Sequence, residues 1–386
     1  MAWIGVAHLL RRSWWERAWV VQELASTQRA VFYCGKASIP YPQLALIVRL
    51  TGTTQVLRHC LDQALGFRNN GELDRAWGLV STKYSFNTGG SIELVDLLHQ
   101  SRHLYCQDPR DKVFAIMGLA NYSIRASFAA DYSKPTSWVY TMATMANIRS
   151  RRDLEILTLD DHDTMDLKYP SWVADLDRKC GTWRFNKFVM SAAPYKTLQG
   201  FPPIVDENRN LLFANGFYVD VLEDVGLHQT DEELRQKQGT NGWSWDIDGL
   251  VSKLMASESF SRNNKMDDGS CHTELRRIFR VEGALYDVLI AGQLSTGSGW
   301  VPHEVEYTAQ DPSRLNEWEN MLQHAQDQTK NHTIVLSKNE YLGLAPKLSK
   351  PGDYIFSLFS LQEPAILRKQ EANLTFLWVR HMFIES

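Results

Sequence analysis

The sequence predicts an α+β fold with a mainly helical N-terminal half and a β-rich C-terminal half. Three observations predict it. Up to about residue 165, apolar residues recur at helical spacing behind helix-start residues. Beyond it, short β-branched and aromatic runs alternate with turn residues. The length of 386 residues leaves room for about two or three domains, and 44% hydrophobic with 22% charged residues is an ordinary globular composition. The 13 Trp predict a core built on large aromatic anchors.

The first element is a helix expected over 13–29. Ser13-Trp14-Trp15-Glu16 has the form of a capping box, in which the Ser hydroxyl and the Glu carboxylate satisfy backbone N–H groups reciprocally. From there Trp14, Ala18, Val21 and Ala25 form one row, with Trp15, Trp19 and Glu23 beside it. A β-prone run, Ala30-Val31-Phe32-Tyr33-Cys34, follows and is closed by Gly35. Residues 36–107 read mostly as helix from Pro42 onward, with loops at 66–72 and 85–91. Asp108-Pro109-Arg110-Asp111 reads as a helix start: a capping Asp, a Pro suited to the first helical position and an Asp favouring the positive helix end. That helix turns Val113, Phe114, Ile116 and Met117 inward and ends at Gly118. Another is predicted from about Pro135 to Arg149.

Near 165 the texture changes, which separates a mainly helical 36–165 from a β-rich 166–386. Pro170-Ser171-Trp172-Val173 leads into β-prone runs at 211–222, 332–336, 353–360 and 374–384. Between them 226–273 and 311–331 are polar, with a helix-like Thr230-Asp231-Glu232-Glu233-Leu234. No internal repeat is present.

Several function classes are excluded. Forty-one Lys and Arg stand against 45 Asp and Glu, a net charge of -4, with no basic segment for nucleic acid. No apolar run approaches the roughly 18 residues of a membrane span. Arg11 and Arg12 follow the apolar MAWIGVAHLL rather than precede it, the reverse of a secretory signal. Five scattered cysteines without a CxxC pair predict neither a disulfide framework nor zinc, and point to the reducing cytoplasm. Signatures of nucleotide-binding loops, serine hydrolases and zinc proteases are missing. Asp160-Asp161-His162-Asp163 reads as a solvated acidic turn. The stretch from Asn263 to Gly269 lacks the terminal Glu of a calcium loop. No cofactor and no metal are therefore expected.

Glu23 stands out among the carboxylates. It lies one turn beyond Trp19 and two beyond Trp15, so indole faces would partly desolvate it and suit it to acid–base work. The alternative is a structural carboxylate paired with Arg17 or Arg29, or accepting backbone hydrogen bonds. Arg110 and Asp111 read as a cap and salt-bridge anchor rather than a catalytic pair. The tryptophans read as core, with one ring of Trp14-Trp15 left for a partner.

Trp15-Glu16-Arg17-Ala18-Trp19-Val20-Val21-Gln22-Glu23-Leu24, then Val31-Phe32-Tyr33-Cys34-Gly35, resembles the last block of the fungal heterokaryon incompatibility (HET) domain. Asp108-Pro109-Arg110-Asp111-Lys112-Val113-Phe114-Ala115-Ile116-Met117-Gly118-Leu119 resembles the segment that follows that domain. Asp131-Tyr132-Ser133 and Pro170-Ser171-Trp172-Val173 match the same layout. Gly343-Leu344-Ala345-Pro346, Pro351-Gly352-Asp353 and Pro364-Ala365-Ile366-Leu367-Arg368 resemble its C-terminal region. The resemblance spans nearly the whole chain. It implies a role in non-self recognition and programmed cell death, exerted through protein partners or self-association.

The HET domain is in turn similar to TIR domains, in which a Trp-Cys-x-x-Glu-Leu helix carries the catalytic Glu of members that cleave NAD. Trp19-Val20-Val21-Gln22-Glu23-Leu24 matches at Trp, Glu and Leu and has Val20 in place of Cys. That likeness implies Glu23 as the catalytic position for ribosyl–nicotinamide cleavage, with Trp15 and Trp19 as binding residues and NAD as substrate, not cofactor. The opening HET blocks, a Ser-Tyr-x-Trp-Gly strand and a Trp-Ile-Asp-x-x-Cys-Ile-Asn-Gln segment, do not occur. The expectation is thus an N-terminally truncated member in which 1–35 is the C-terminal remnant of a TIR-like α/β domain, non-catalytic for want of its sheet. Two rivals are an NAD glycohydrolase completed in a longer form or by a partner, and an inactive paralogue or gene-model fragment.

Overall fold

The computed structural model describes residues 2–64, 71–159, 169–177, 201–208, 210–225, 332–339, 342–346, 348–361, 364–370, 373–376 and 381–382. The acidic run 160–163, the 263–269 stretch, the polar regions 226–273 and 311–331 with Thr230–Leu234, positions 66–70, Cys180 and Cys271 lie outside them, as do 377–380 and 383–384. The chain mixes helix and sheet. Its contacts form two units, Met1–Asp160 with Asp166–Phe188 and Leu198–Asn215, and Gly216–Ser386 with Asp161–Met165 and Val189–Thr197. The textural change near 165 and the contact division at Gly216 are thus different boundaries.

In the first unit, α1 (Ala2–Leu10) leads to a 3-10 turn (Ser13–Glu16) and α2 (Val20–Ser26). The single helix expected over 13–29 is therefore broken. Arg17 is extended at φ -87 and ψ 130. Its neighbours bond a distant segment instead: Tyr105 N–H donates to Glu16 O at 2.5 Å and Ala18 N–H to Tyr105 O at 2.9 Å. Groups committed to residue 105 cannot also close a helical turn. The Ser13 capping box does not form either. Arg12 is the N-cap residue, without a side-chain bond, and Glu16 reaches Arg75 at 3.5 Å.

Strands β1 (Val31–Cys34) and β2 (Ala37–Pro40) pair antiparallel around Gly35-Lys36. Gly35 has φ +63 while Lys36 stays at negative φ, the pattern of a type II′ hairpin turn with Gly at its first central position. Helices α3 (Tyr41–Thr53), α4 (Gln55–Ala64), α5 (Glu72–Gly89) and α6 (Leu94–Ser101) follow. The loop expected at 85–91 is mostly helix, because α5 continues to a left-handed stop at Gly90, φ +71. Then come α7 (Asp111–Met117), α8 (Tyr122–Ser127), α9 (Thr136–Arg151) and the hairpin β3 (Ile204–Asp206) with β4 (Leu211–Phe213). Asp108 does not cap α7: Arg110 is its N-cap residue, and Asp108 Oδ1 accepts from the Arg110 N–H at 3.0 Å one turn earlier. The core is mainly aliphatic, with Val20, Leu94, Leu97, Leu98 and Val113 all at 0% exposure. Trp15 at 1% and Trp172 at 6% are buried, but Trp19 at 37% is not, so large indoles anchor this core only locally.

The second unit is a seven-stranded antiparallel sheet in the order β10-β9-β8-β5-β6-β7-β11. Its members are β5 (Gly216–Val225), β6 (His332–Ser337), β7 (Leu342–Pro346), β8 (Tyr354–Leu358), β9 (Ala365–Gln370), β10 (Asn373–Phe376) and β11 (His381–Met382). The β-prone run 211–222 is thus split between two units. A Cβ at Gly216 would lie 2.6 Å from the Ser357 carbonyl oxygen, so only glycine allows β5 this approach to β8. Leu222, Val335, Ala345, Ile355 and Ile366, one from each of five strands, form the sheet's core cluster. The buried Asp353 accepts a fork from Arg368, Nε to Oδ1 at 2.7 Å and Nη2 to Oδ2 at 2.6 Å. That pair joins the Pro-Gly-Asp and Pro-Ala-Ile-Leu-Arg segments.

Among the described residues, all named strands pair antiparallel, and no helix is long and apolar enough to cross a membrane.

Candidate functional site

The 3-10 turn, α2 and β1 surround a pocket of about 550 Å³ in the first unit. Its wall begins with aromatics. Trp15 stacks on Phe32 with centroids 5.7 Å apart and planes 5° apart. Trp14 meets both edge-on, at 5.0 Å from Trp15 and 5.2 Å from Phe32. The buried Trp15 indole donates to Leu9 O at 2.9 Å, which satisfies its N–H and fixes the ring. This cluster follows from the break at Arg17: one continuous helix could not turn Trp14 and Trp15 together onto the strand that follows α2.

Two charged side chains line the same pocket, Glu23 from α2 and Arg12 from the turn before the tryptophans. Glu23 is exposed, contrary to the expected desolvation between indole faces. Nor does its side chain pair with Arg17 or Arg29 among the described residues; its backbone is engaged, the N–H donating to Trp19 O at 3.1 Å and the carbonyl accepting from the Thr27 hydroxyl at 2.5 Å. The Arg12 guanidinium donates to Cys34 Sγ at 3.5 Å. An acceptor, a donor and a stacking surface therefore meet in one cavity, an arrangement suited to holding a ligand that carries both charge and apolar area. Cys34, Cys60 and Cys106 are free thiols. No His, Cys, Asp and Glu cluster able to hold a metal exists among the described residues.

Trp19 does not join Trp15 and Glu23. Its indole donates to Asp111 Oδ2 at 3.1 Å, and the Tyr132 hydroxyl donates to Asp111 Oδ1 at 2.5 Å. Desolvation first, and then that hydrogen bond, push the Tyr132 phenol up to about 12. Arg110 forks onto Asp108, Nε to Oδ1 at 2.9 Å and Nη2 to Oδ2 at 2.6 Å. Its Nη1 donates to Tyr132 O at 2.6 Å and Lys134 O at 2.7 Å. The Arg110 hydrogen bonds hold the Asp108 carboxyl below its usual range. Arg110 and Asp111 thus serve as anchors, and the Trp19–Glu23, Asp108–Gly118 and Asp131–Ser133 segments meet through them. Gln22 packs against Gly118, where a Cβ would lie 2.9 Å from Gln22 Nε2.

Sequence reasoning missed Arg12, Phe32 and Lys83. Lys83, only 2% exposed, sends its ammonium from α5 to the end of α2, donating to Leu24 O at 2.9 Å and to Thr27 O. It caps the last carbonyls of the helix that walls the pocket, and burial lowers its pKa. A signal was available: Ala76, Leu79, Val80 and Lys83 share one helical stripe, and a lysine on an apolar stripe needs a buried acceptor. Arg12 and Phe32 carried none, since their meeting depends on the chain reversal at Arg17.

Compared with protein-family models, curated proteins and solved structures, the chain matches none.

Proposed function

We propose that this chain is a recognition protein of the fungal HET type, acting in non-self recognition and programmed cell death through protein contacts rather than catalysis. The observation that carries this reading is the exposed strand beside the aromatic pocket, where Val31 is 47% and Tyr33 76% exposed. Exposed apolar side chains on a short open hairpin are a contact surface. The family assignment is supported by Asp111, which joins the blocks that carry the resemblance. In this reading 1–35 is the C-terminal part of a TIR-like α/β domain, helical elements dominate the front half and strands the back half. The free thiols support a cytoplasmic setting. Expression in hyphae paired with different strains tests the proposal: an incompatibility reaction is expected in at least one pairing, and unimpaired fusion and growth in all of them overturns it.

One observation favours a second reading, a TIR-like NAD glycohydrolase: Glu23, Trp15 and Arg12 line a single cavity. Under it, Glu23→Ala abolishes NAD loss while the circular dichroism spectrum stays unchanged. Equal NAD levels with and without the protein dispose of it.

A further inference from the structure

The β1–β2 register decides which backbone groups of β1 are free. Cys34 faces Ala37 across the two-residue turn, so these two exchange hydrogen bonds, as do Phe32 and Ile39 two residues on. The Tyr41 N–H donating to Ala30 O at 2.9 Å continues the alternation. Val31 and Tyr33, opposite Pro40 and Ser38, are the pairs that exchange none, and their N–H and C=O groups point away from β2. Among the described residues no strand pairs with that outer edge.

Val-Phe-Tyr-Cys is short but carries no charge, no proline and no bulge to block its edge. The pocket is lined by every residue from Ala30 to Gly35. One face of a strand would contribute alternate residues only, so the pocket runs along the edge itself. Glu23 and Arg12 both line it, and neither forms an ion pair among the described residues.

We infer that the outer edge of β1 takes an extended segment of a partner protein as an added strand. The backbone of that segment bonds Val31 and Tyr33, an aromatic or aliphatic side chain enters the pocket against Trp14 and Phe32, and its basic and acidic side chains meet Glu23 and Arg12. Main-chain bonds supply the affinity and the pocket the selectivity. This deepens the recognition reading and rests on it for its biological role.

The test uses a display library of random linear decapeptides selected against the full chain. Tyr33→Pro removes an outward N–H without touching the β1–β2 bonds, because Tyr33 lies at a non-bonded pair. Enriched peptides should carry charges of both signs around an apolar residue. They should lose about tenfold or more in affinity, about 1.4 kcal/mol, on Tyr33→Pro, and as much on N-methylation of one alternate set of their own amides, a control independent of how the variant folds. Glu23→Gln should select against the basic position. An empty selection, or peptides indifferent to both Tyr33→Pro and N-methylation, overturns the inference. An incompatibility reaction that persists in Tyr33→Pro hyphae removes the edge and leaves the recognition reading. Peptide binding without any reaction does the opposite.

Discussion

Replacing Asp111 by Ala tests the joint on which the pocket-bearing helix rests. The carboxylate accepts the Trp19 indole N–H at 3.1 Å and the Tyr132 hydroxyl at 2.5 Å. Those donors are 37% and 49% exposed, so once the carboxylate is gone water takes its place. The loss is then the net worth of each bond, about 1 kcal/mol apiece, and not the larger penalty of a buried orphan. Asp111 also opens α7, where losing a negative charge at the positive helix end removes about 0.3–1 kcal/mol more. The expected destabilisation is about 2–3 kcal/mol. Urea unfolding of wild type, Asp111→Ala, Trp19→Phe and the double variant, followed by far-ultraviolet circular dichroism, measures it. The cycle should return a coupling of about 1 kcal/mol between Asp111 and Trp19. An Asp111→Ala protein within about 0.5 kcal/mol of wild type, or strictly additive single variants, refutes the reasoning.

Lys83→Met should cost about 2–4 kcal/mol in urea unfolding, because it strips Leu24 O and Thr27 O of their ammonium donor at the end of α2. Wild-type stability in that variant contradicts the capping role. In the sheet, Arg368→Met leaves the buried Asp353 carboxylate without its fork and should cost about 3–5 kcal/mol. Amide exchange in β8 and β9 should accelerate, with Asp353→Leu/Arg368→Met less damaging than the single change; unaltered exchange rejects the ion pair as a support. His103 supplies a pH dependence. Burial first, and then Arg75, Lys112 and Arg102, push its imidazole from 6.5 down to about 3. A base held neutral in the fold contributes stability that is complete above pH 6.5 and is lost as the pH falls toward 3. His103→Phe should flatten this window relative to wild type, and identical pH profiles for the two proteins refute the assignment.

Local chemistry made much of this protein legible. Val31–Cys34 with Gly35 announces a strand and its turn through side-chain type and the positive φ a glycine accepts. The helix at Thr136–Arg151 follows from apolar spacing behind Pro135. Arg110 and Asp111 were recognisable as anchors from their position at a helix start. Of Glu23, Trp15 and Trp19, singled out together in the sequence, Glu23 and Trp15 line one pocket and Trp19 does not.

The misreadings around the pocket start from one break. Spacing at 13–29 is helical throughout, but Tyr105, far along the chain, takes the backbone groups around Arg17 and breaks the run. That break sends Trp15 onto Phe32 and Trp19 to Asp111, so residues one helical turn apart in sequence end at different places. Trp19, one of the two indoles expected to shield Glu23, bonds Asp111 instead, and Glu23 is exposed. The sequence alone determined elements such as Val31–Cys34 and Thr136–Arg151, since periodicity and turn chemistry are local properties. Only the tertiary structure decided which side chains meet, because backbone bonds and a single carboxylate reach across some ninety residues in a way no local spacing encodes.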